Sequence, residues 1–432
     1  MNLHHLLQRR IAQGRPIRVA LIGAGKFGSM FLAQVPSTPG LEVTAIADLA
    51  PDRARDACRR VGWTEERIGA TRFTEDAGAA IAAAEIEVVV EATGHAPAGL
   101  RHARRAIAEG RPVVMVNVEA DVLAGPLLAR EAARAGVVYS LAYGDQPALI
   151  CELVDWARAC GFGVIAAGKG TKYLPEYHAS TPATVWGYYG LTAEQAREGG
   201  MNPQMFNSFL DGTKSGIEMA AVANATGLTP PPDGLAFPPC GTHELADVLR
   251  PGNALHHAGQ TEVVSSLCRD GRPVENDLRW GVFVVFEAPT DYTARCFREY
   301  GVVADASGRV SALYRPFHLI GLELNVSILS AALRNEATGA PTGFRADVVA
   351  TAKRDLHAGD VLDGEGGGCV WGKLLPAATS LQIGGLPIGL ANRVPLTRDV
   401  PAGRWVTWAD VRIDAADAAY RCRREMEAAF GK

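Results

Sequence analysis

The chain has 432 residues, more than the ~250–300 at which a single hydrophobic core stops growing, so about three domains of ~150 residues are expected. With 48% hydrophobic and 21% charged residues, wholesale disorder is excluded. A net charge of −4 argues against nucleic acid or an anionic membrane as the main partner.

The opening stretch, Met1 to Pro16, carries His4, His5, Arg9, Arg10 and Arg15 but no apolar run ending in a cleavage site. No stretch reaches ~18 apolar residues, so neither a signal peptide nor a membrane span is expected. The eight cysteines are scattered with no C-x-x-C pair and read as reduced thiols rather than a disulfide framework or a zinc site. A cytoplasmic protein is the expectation. Glycine is frequent, 47 in all, above the ~7% of average usage and without a collagen period. It belongs in turns and loops of close approach.

Ile17 to Ile22 is an apolar run broken only by Arg18, a strand buried on both faces. It runs into Gly23-Ala24-Gly25-Lys26-Phe27-Gly28 and then a helix over Ser29 to Gln34. Strand–helix alternation continues with strands at 42–47, 71–73, 87–91, 112–118 and 137–143. Helices are expected at 52–61, 76–84, 98–109 and 122–135. Six strands interleaved with helices predict a doubly wound parallel sheet, a Rossmann-type domain over residues 1–145.

The G-x-G-x-x-G run has the strand before it, the helix after it and an acidic residue, Asp48, beyond it. Gly23 permits the turn, Gly25 admits a pyrophosphate close to the backbone, and Gly28 lets helix and strand pack. Amides at the helix start favour the phosphate charge. Lys26 and Phe27 belong to the same loop. Asp48 suits the adenosine ribose hydroxyls of NAD, while Arg53, five residues on, suits the 2′-phosphate of NADP, so NAD and NADP both stay open. Thr93 and Gly94 follow one strand, Asn117 and Glu119 another, and these four are expected on the nicotinamide side.

Residues 146–340 read as an α+β substrate domain, with a helix over 148–159 and a strand over 162–167. That strand empties into Gly168-Lys169-Gly170-Thr171-Lys172-Tyr173, read as a loop whose two lysines bind an anion or exchange a proton. Lys214, near the start of an apolar helix over 219–225, opposes the helix dipole and joins them as a catalytic candidate. Arg279 to Glu287 reads as a strand, with another around 302–304, and Tyr314 to His318 as the opening of a helix running to about Leu333. Arg315 is held extended ahead of Pro316. With His318 and Asp145 it is expected to bind the substrate, the guanidinium suiting an oxyanion.

The two regions together resemble the homoserine dehydrogenase-like oxidoreductases, and more closely their 1-deoxy-D-xylulose 5-phosphate reductoisomerase-like branch. The likeness rests on Gly23–Gly28, Asn117–Asp121, Gly144–Pro147, Lys169–Tyr173 and Tyr314–His318, and spans roughly residues 15–410. It implies reduction and isomerisation of a sugar phosphate with NADPH and a divalent metal (Mg or Mn). Asp145, Glu152, Glu218 and Glu323 are oxygen donors in principle, but no spacing selects them as ligands. The Gly/Pro-Thr substrate loop of homoserine dehydrogenases proper is missing, which makes plain homoserine oxidation the weaker alternative.

Residues 341–432 resemble a SAF module, carried by Ala352–Leu362, Leu386–Ala391, Arg398–Gly403 and Val406–Val411. Gly364 to Gly368 is expected to be a flexible turn within it, and a helix over 415–430 closes the chain. The expectation is thus an NAD(P)-dependent oxidoreductase, homo-oligomeric, acting on a small polyhydroxylated anion such as a sugar phosphate or sugar acid. The rival is a non-catalytic dinucleotide sensor that uses the SAF-like module for partner contact.

Overall fold

Ile17–Ile22 forms β1 and, apart from Arg18, is buried throughout, as a strand covered on both faces by helices must be. The computed structural model describes residues 2–431. It continues with β2 (Leu41–Ala47), β3 (Arg72–Thr74), β4 (Val88–Glu91), β5 (Val113–Met115) and β6 (Tyr139–Leu141). These six parallel strands lie in the order β3-β2-β1-β4-β5-β6, so the order reverses between β1 and β4. Leu21, Ile46, Val90 and Val114 from the sheet and Phe31 and Ile328 from helices fill its core. Helix and strand thus alternate as the apolar pattern predicts.

β5 and β6 are shorter than expected. The side chain of Asn117 accepts the amide of Ala120 and caps a helix, Val118–Ala135, so residues 117–119 start a helix instead of ending a strand. That helix kinks at Ala124, just before Pro126, which has no N–H to give.

The second region is built on β7 (Gly163–Thr171), β8 (Gln260–Ser265), β9 (Val282–Glu287) and β10 (Val310–Arg315), in the order β10-β9-β7-β8. β7 pairs parallel with β8 and antiparallel with β9, and β9 antiparallel with β10. The helix Thr213–Thr226 packs on β7 and β8 and also on β11 (Ala346–Ala352) and β13 (Val370–Pro376), an antiparallel pair. Covered by sheets in this way, it is buried nearly all round. β12 (Val361–Asp363) pairs with β14 (Asn392–Pro395), and the helix Ala418–Phe430 ends the described chain. No helix among the described residues is long and apolar enough to cross a membrane.

Two compact units result. One comprises residues 1–149 with 318–342, the other 150–317 with 343–432. The boundaries expected at 145/146 and 340/341, with a separate third domain, differ from this division. The C-terminal segment is bonded into the second unit: Asn224 bonds Arg345 and Ala346, and Thr213 Oγ1 accepts the Gly372 amide. The buried Lys353 donates at 2.7 Å to Asp211 and to the carbonyls of Ser180 and Gly367.

Three expectations are corrected by these elements. Tyr314 and Arg315 close strand β10, and the helix that follows starts only at Asn325. Residues 302–304 form no strand; Ala304 makes only an isolated bridge to Ser311. The turn 364–368 is clamped, its carbonyls taking hydrogen bonds from Gln204, Asn207 and Lys353.

Candidate active site

In the first unit the fingerprint lies where β1 meets the helix Lys26–Gln34. Gly23 has φ +93°, and a Cβ there would meet the Ala92 carbonyl oxygen at 2.7 Å; one on Gly28 would meet the Gly23 oxygen at 2.8 Å. Over Gly25 the space is open to at least 4 Å. The tight turn thus falls on Gly23, the open backbone on Gly25 and the helix–strand packing contact on Gly28. Lys26 is exposed and Phe27 half-buried at the start of the helix.

Asp48 follows β2, with Oδ2 accepting the Ala24 amide at 2.9 Å and Oδ1 the Ala50 amide at 2.9 Å. The carboxylate that the spacing assigns to a ribose thus also ties down the glycine loop. Arg53, largely exposed, reaches it at 3.4 Å. At the ends of β4 and β5, Thr93 donates to Glu91 at 2.6 Å and accepts from Asn117 Nδ2 at 3.3 Å. Glu91, wholly buried, also meets His102 Nδ1 at 3.1 Å. Gly94 is exposed beside Thr93, and Glu119 lies in the first turn of the Asn117-capped helix. Asp145 is buried and accepts the amide of Gln146. Sequence places Glu91 at the head of the strand-end loop Glu91–Gly94, but its pairing with His102, eleven residues on, carries no motif.

In the second unit Lys169 does not sit in a loop. It lies within β7, a central strand, buried and paired with Glu218 of the helix Thr213–Thr226. Its neighbours are glycines for a steric reason: a Cβ on Gly168 would stand 1.7 Å from the Glu262 carbonyl oxygen, and one on Gly170 1.8 Å from that of Leu278. Lys214 lies four residues before Glu218, hence on the same face of that helix.

Cross-strand register joins a further candidate to Lys169. Val282 of β9 is opposite Lys169 on one side and opposite Arg315 of β10 on the other. Residues directly opposite in antiparallel strands share a face. Lys169 and Arg315 therefore lie on one face of the sheet, two strand spacings or about 10 Å apart at the backbone. His318, three residues beyond Arg315, belongs to the first unit and is half-buried.

Lys172 departs from its expected partnership with Lys169. It lies beyond the strand, donates to the Tyr188 carbonyl at 2.6 Å and lies 5.7 Å from the Tyr189 ring centroid. Burial, with Arg279 nearby, holds its pKa below the usual lysine range. A second polar cluster carries no sequence signal, because its members are scattered over two hundred residues. His178 Nδ1 donates to the Asp211 carbonyl, leaving Nε2 to accept the Tyr173 hydroxyl at 2.9 Å, and the ring stacks on Trp371. Burial pushes the His178 pKa down to about 4, so the ring is neutral.

Among the described residues no group of three or more His, Cys, Asp or Glu side chains is placed to hold a metal ion. Glu218, one of the oxygen donors considered, is instead the partner of a lysine. The divalent metal implied by the resemblance therefore finds no ligand set among the described residues.

Residues 23–140 match the family described as "Homoserine dehydrogenase, NAD binding domain". Residues 144–324 match the family described as "Oxidoreductase DRL, catalytic domain". No curated protein matches the sequence. Similar solved structures include a 3-ketoreductase from Actinomadura kijaniata, solved with NADP and TDP-benzene, at 20% identity and TM-score 0.27, over 37% of this chain and 48% of that one. A myo-inositol dehydrogenase from Corynebacterium glutamicum aligns at 14% identity and TM-score 0.29, over 40% of this chain and 49% of that one. A probable dehydrogenase from Thermotoga maritima aligns over 70% of each chain, at 12% identity and TM-score 0.33. The first two alignments span about half of those proteins. The two family matches abut in the sequence, one to a family described as an NAD-binding domain and the other to one described as an oxidoreductase catalytic domain.

Proposed function

We propose that the protein is an NAD(P)-dependent oxidoreductase acting on a small polyhydroxylated anion, a sugar phosphate or sugar acid. The observation that carries this reading is the row Lys169–Val282–Arg315 on one sheet face, with Glu218 paired to the lysine. A buried lysine in a central strand is costly unless it is paired, and a guanidinium on the same face suits the bidentate capture of a carboxylate or phosphate. One end of a substrate would be held by Arg315 and its reacting oxygen served by Lys169.

The dinucleotide, when bound, gives or takes the hydride. In the reducing direction Lys169 Nζ gives a proton to the carbonyl oxygen as that oxygen gains charge, leaving a hydroxyl and a neutral amine; in the oxidising direction the proton returns. Glu218 keeps the amine in place through both states. Lys214, on the same helix face as Glu218, is part of the proposal as a second cation near that oxygen. Lys172 is read as a brace for the segment around Tyr188.

The reductoisomerase form of the reading adds a carbon-skeleton rearrangement before hydride transfer, and it rests on resemblance alone. So does the reading of residues 341–432 as a SAF module. The test is to follow the absorbance of reduced nicotinamide with purified protein, NAD or NADP, and panels of sugar phosphates, sugar acids and homoserine. Turnover confined to anionic polyols is expected. Turnover with homoserine alone would replace the proposed substrate class, and tight cofactor binding with no turnover would favour the sensor.

A further inference from the structure

The helix Thr213–Thr226 carries Glu218 to Lys169, and its first turn is fixed from outside. Gly212 before it has φ +89° and no side chain to cap it. Asp211, wholly buried, takes that part: Oδ1 accepts the Thr213 amide at 2.9 Å, and its carbonyl accepts His178 Nδ1 at 2.7 Å. Facing Oδ2 is Lys353, whose ammonium also donates to the carbonyls of Ser180 and Gly367, each bond being 2.7 Å. Its three protons are thereby all used. Strand β13 closes on the same turn, since Thr213 Oγ1 accepts the Gly372 amide at 2.8 Å. A Cβ on Gly216 would stand 3.1 Å from the Gly372 oxygen, so helix and strand are in close contact.

Lys353 belongs to residues 343–432, beyond both family matches, of which the later ends at residue 324. Two buried cations of that segment are used differently. Arg423 pairs with Asp347 and Glu427, both of the same segment. In β11 it is Val348, next to Asp347, that faces the helix, 3.6 Å from a Cβ placed on Gly216. Successive side chains of a strand point to opposite faces, so Asp347 and Arg423 lie on the far side. Lys353 instead reaches out of the segment, to the residue that starts the helix of Glu218.

We propose that Lys353 is a positioning residue of the proposed active site: by neutralising Asp211 it fixes the start of the helix on which Glu218 meets Lys169, so that residues 343–432 complete that site. The inference rests on the role given to Lys169 above. A buried ion pair adds little stability over apolar side chains of the same volume; what this one adds is a fixed placement of Glu218. A carboxylate beside a lysine favours its charged form, so with Glu218 displaced Lys169 gives up its proton at lower pH. In the oxidising direction the lysine must be neutral, and turnover rises as pH climbs through its pKa. That limb therefore moves to lower pH when Lys353 is lost.

The test records pH profiles of kcat with NAD or NADP and the best substrate among sugar phosphates, sugar acids and homoserine, together with denaturant midpoints. The proteins are wild type, Lys353→Met, Lys353→Met/Asp211→Asn and Arg423→Met, all as the full chain. Lys353→Met should cut the plateau kcat about 10- to 100-fold, leave the dinucleotide dissociation constant within twofold, and lower the limb by about one pH unit. Adding Asp211→Asn removes the stranded charge and keeps an acceptor for the Thr213 amide, so the midpoint should return toward wild type while kcat and the limb do not. Arg423→Met should lower the midpoint and leave kcat per folded molecule and the limb in place. A double variant that regains kcat with its stability overturns the inference, as does an Arg423→Met that moves the limb as far as Lys353→Met. Should Lys353→Met not fold, the double variant decides alone. A wild type that turns over none of these substrates overturns the role of Lys169 and this inference with it, whereas an active wild type with an unmoved limb in both Lys353 variants overturns the inference alone.

Discussion

The end of the first unit's sheet and the lysine row of the second unit are built from different material. The first is mainly backbone: three glycines, the amides of a helix start and an aspartate that ties two of the neighbouring amides. The second is mainly side chains, with Lys169, Glu218 and Arg315 arriving from three elements far apart in the chain. Backbone donors suit a ligand whose charge is the same from one cofactor to the next. Paired side chains suit a site that must move a proton and tell one anion from another. The two should therefore fail differently when altered: the backbone-built site by degrees, the side-chain site abruptly.

Lys169→Ala is the severest test of that contrast. Turnover should fall by about 10²–10⁴, the usual worth of a positioned proton donor, while the dissociation constant of the dinucleotide stays within twofold. The same change strands Glu218 in the interior and should destabilise the fold by about 3–5 kcal/mol. Adding Glu218→Gln should recover much of the stability and none of the turnover. Unchanged turnover in the single variant would remove Lys169 from the chemistry.

Two buried glutamates of the second unit sharpen the point. Glu218 has a lysine; Glu262 has backbone amides, those of Ala236, Phe237 and Val263, and no cation pairs with it among the described residues. Burial pushes the Glu262 pKa from 4.5 up to about 7. A carboxyl whose folded pKa is raised favours the fold most below the unfolded pKa, and that contribution is lost as pH rises through the folded value. Between pH 4.5 and about 7 wild type should thus lose up to ~3 kcal/mol of stability relative to Glu262→Gln. Denaturant midpoints at a series of pH values measure this, and parallel curves for the two proteins would refute it.

The row itself is tested at Arg315. Arg315→Ala should raise KM about ten- to a hundredfold for an anionic substrate and change kcat much less, since an interaction made equally in ground and transition states acts on binding. Arg315→Lys should recover only part of the loss, because an ammonium lacks the bidentate fork. If kcat falls as far as kcat/KM does, the arginine acts on the reacting atoms and the assignment of the two ends is reversed.

How far these regions could be read from sequence follows from the same contrast. The strand Ile17–Ile22, the glycines and Asp48 are separated by few residues, so local pattern is enough to place them together. The sequence marks Lys169 as an unusual lysine, but its flanking glycines suggest a loop. They stand in β7 because the carbonyls of Glu262 and Leu278 press against that strand, and both lie about a hundred residues away in sequence. Preceding Pro316, Arg315 reads as extended ahead of a helix, yet the restraint that proline imposes on its neighbour is equally met by the last residue of a strand. Its shared face with Lys169 is a matter of register across β9, which no local pattern encodes. Glu218 showed only as one carboxylate among several.

The gentlest prediction returns to the backbone-built site. Asp48 accepts two amides and keeps lone pairs for a ribose hydroxyl, while the exposed Arg53 stands 3.4 Å away. Asp48→Ser retains a short acceptor but removes the charge. NAD should weaken by about three- to tenfold, the loss of one charge-assisted hydrogen bond, and NADP by less, because a 2′-phosphate is relieved of a nearby carboxylate. Arg53→Ala should do the reverse, weakening NADP more than NAD. Both changes leave the glycines and the helix amides proposed to hold the pyrophosphate, so neither should abolish binding. Calorimetric titration of the two cofactors against the two variants gives four ratios. If NAD and NADP move together in both variants, Asp48 serves only to tie the loop through Ala24 and Ala50, and the choice between cofactors is made elsewhere.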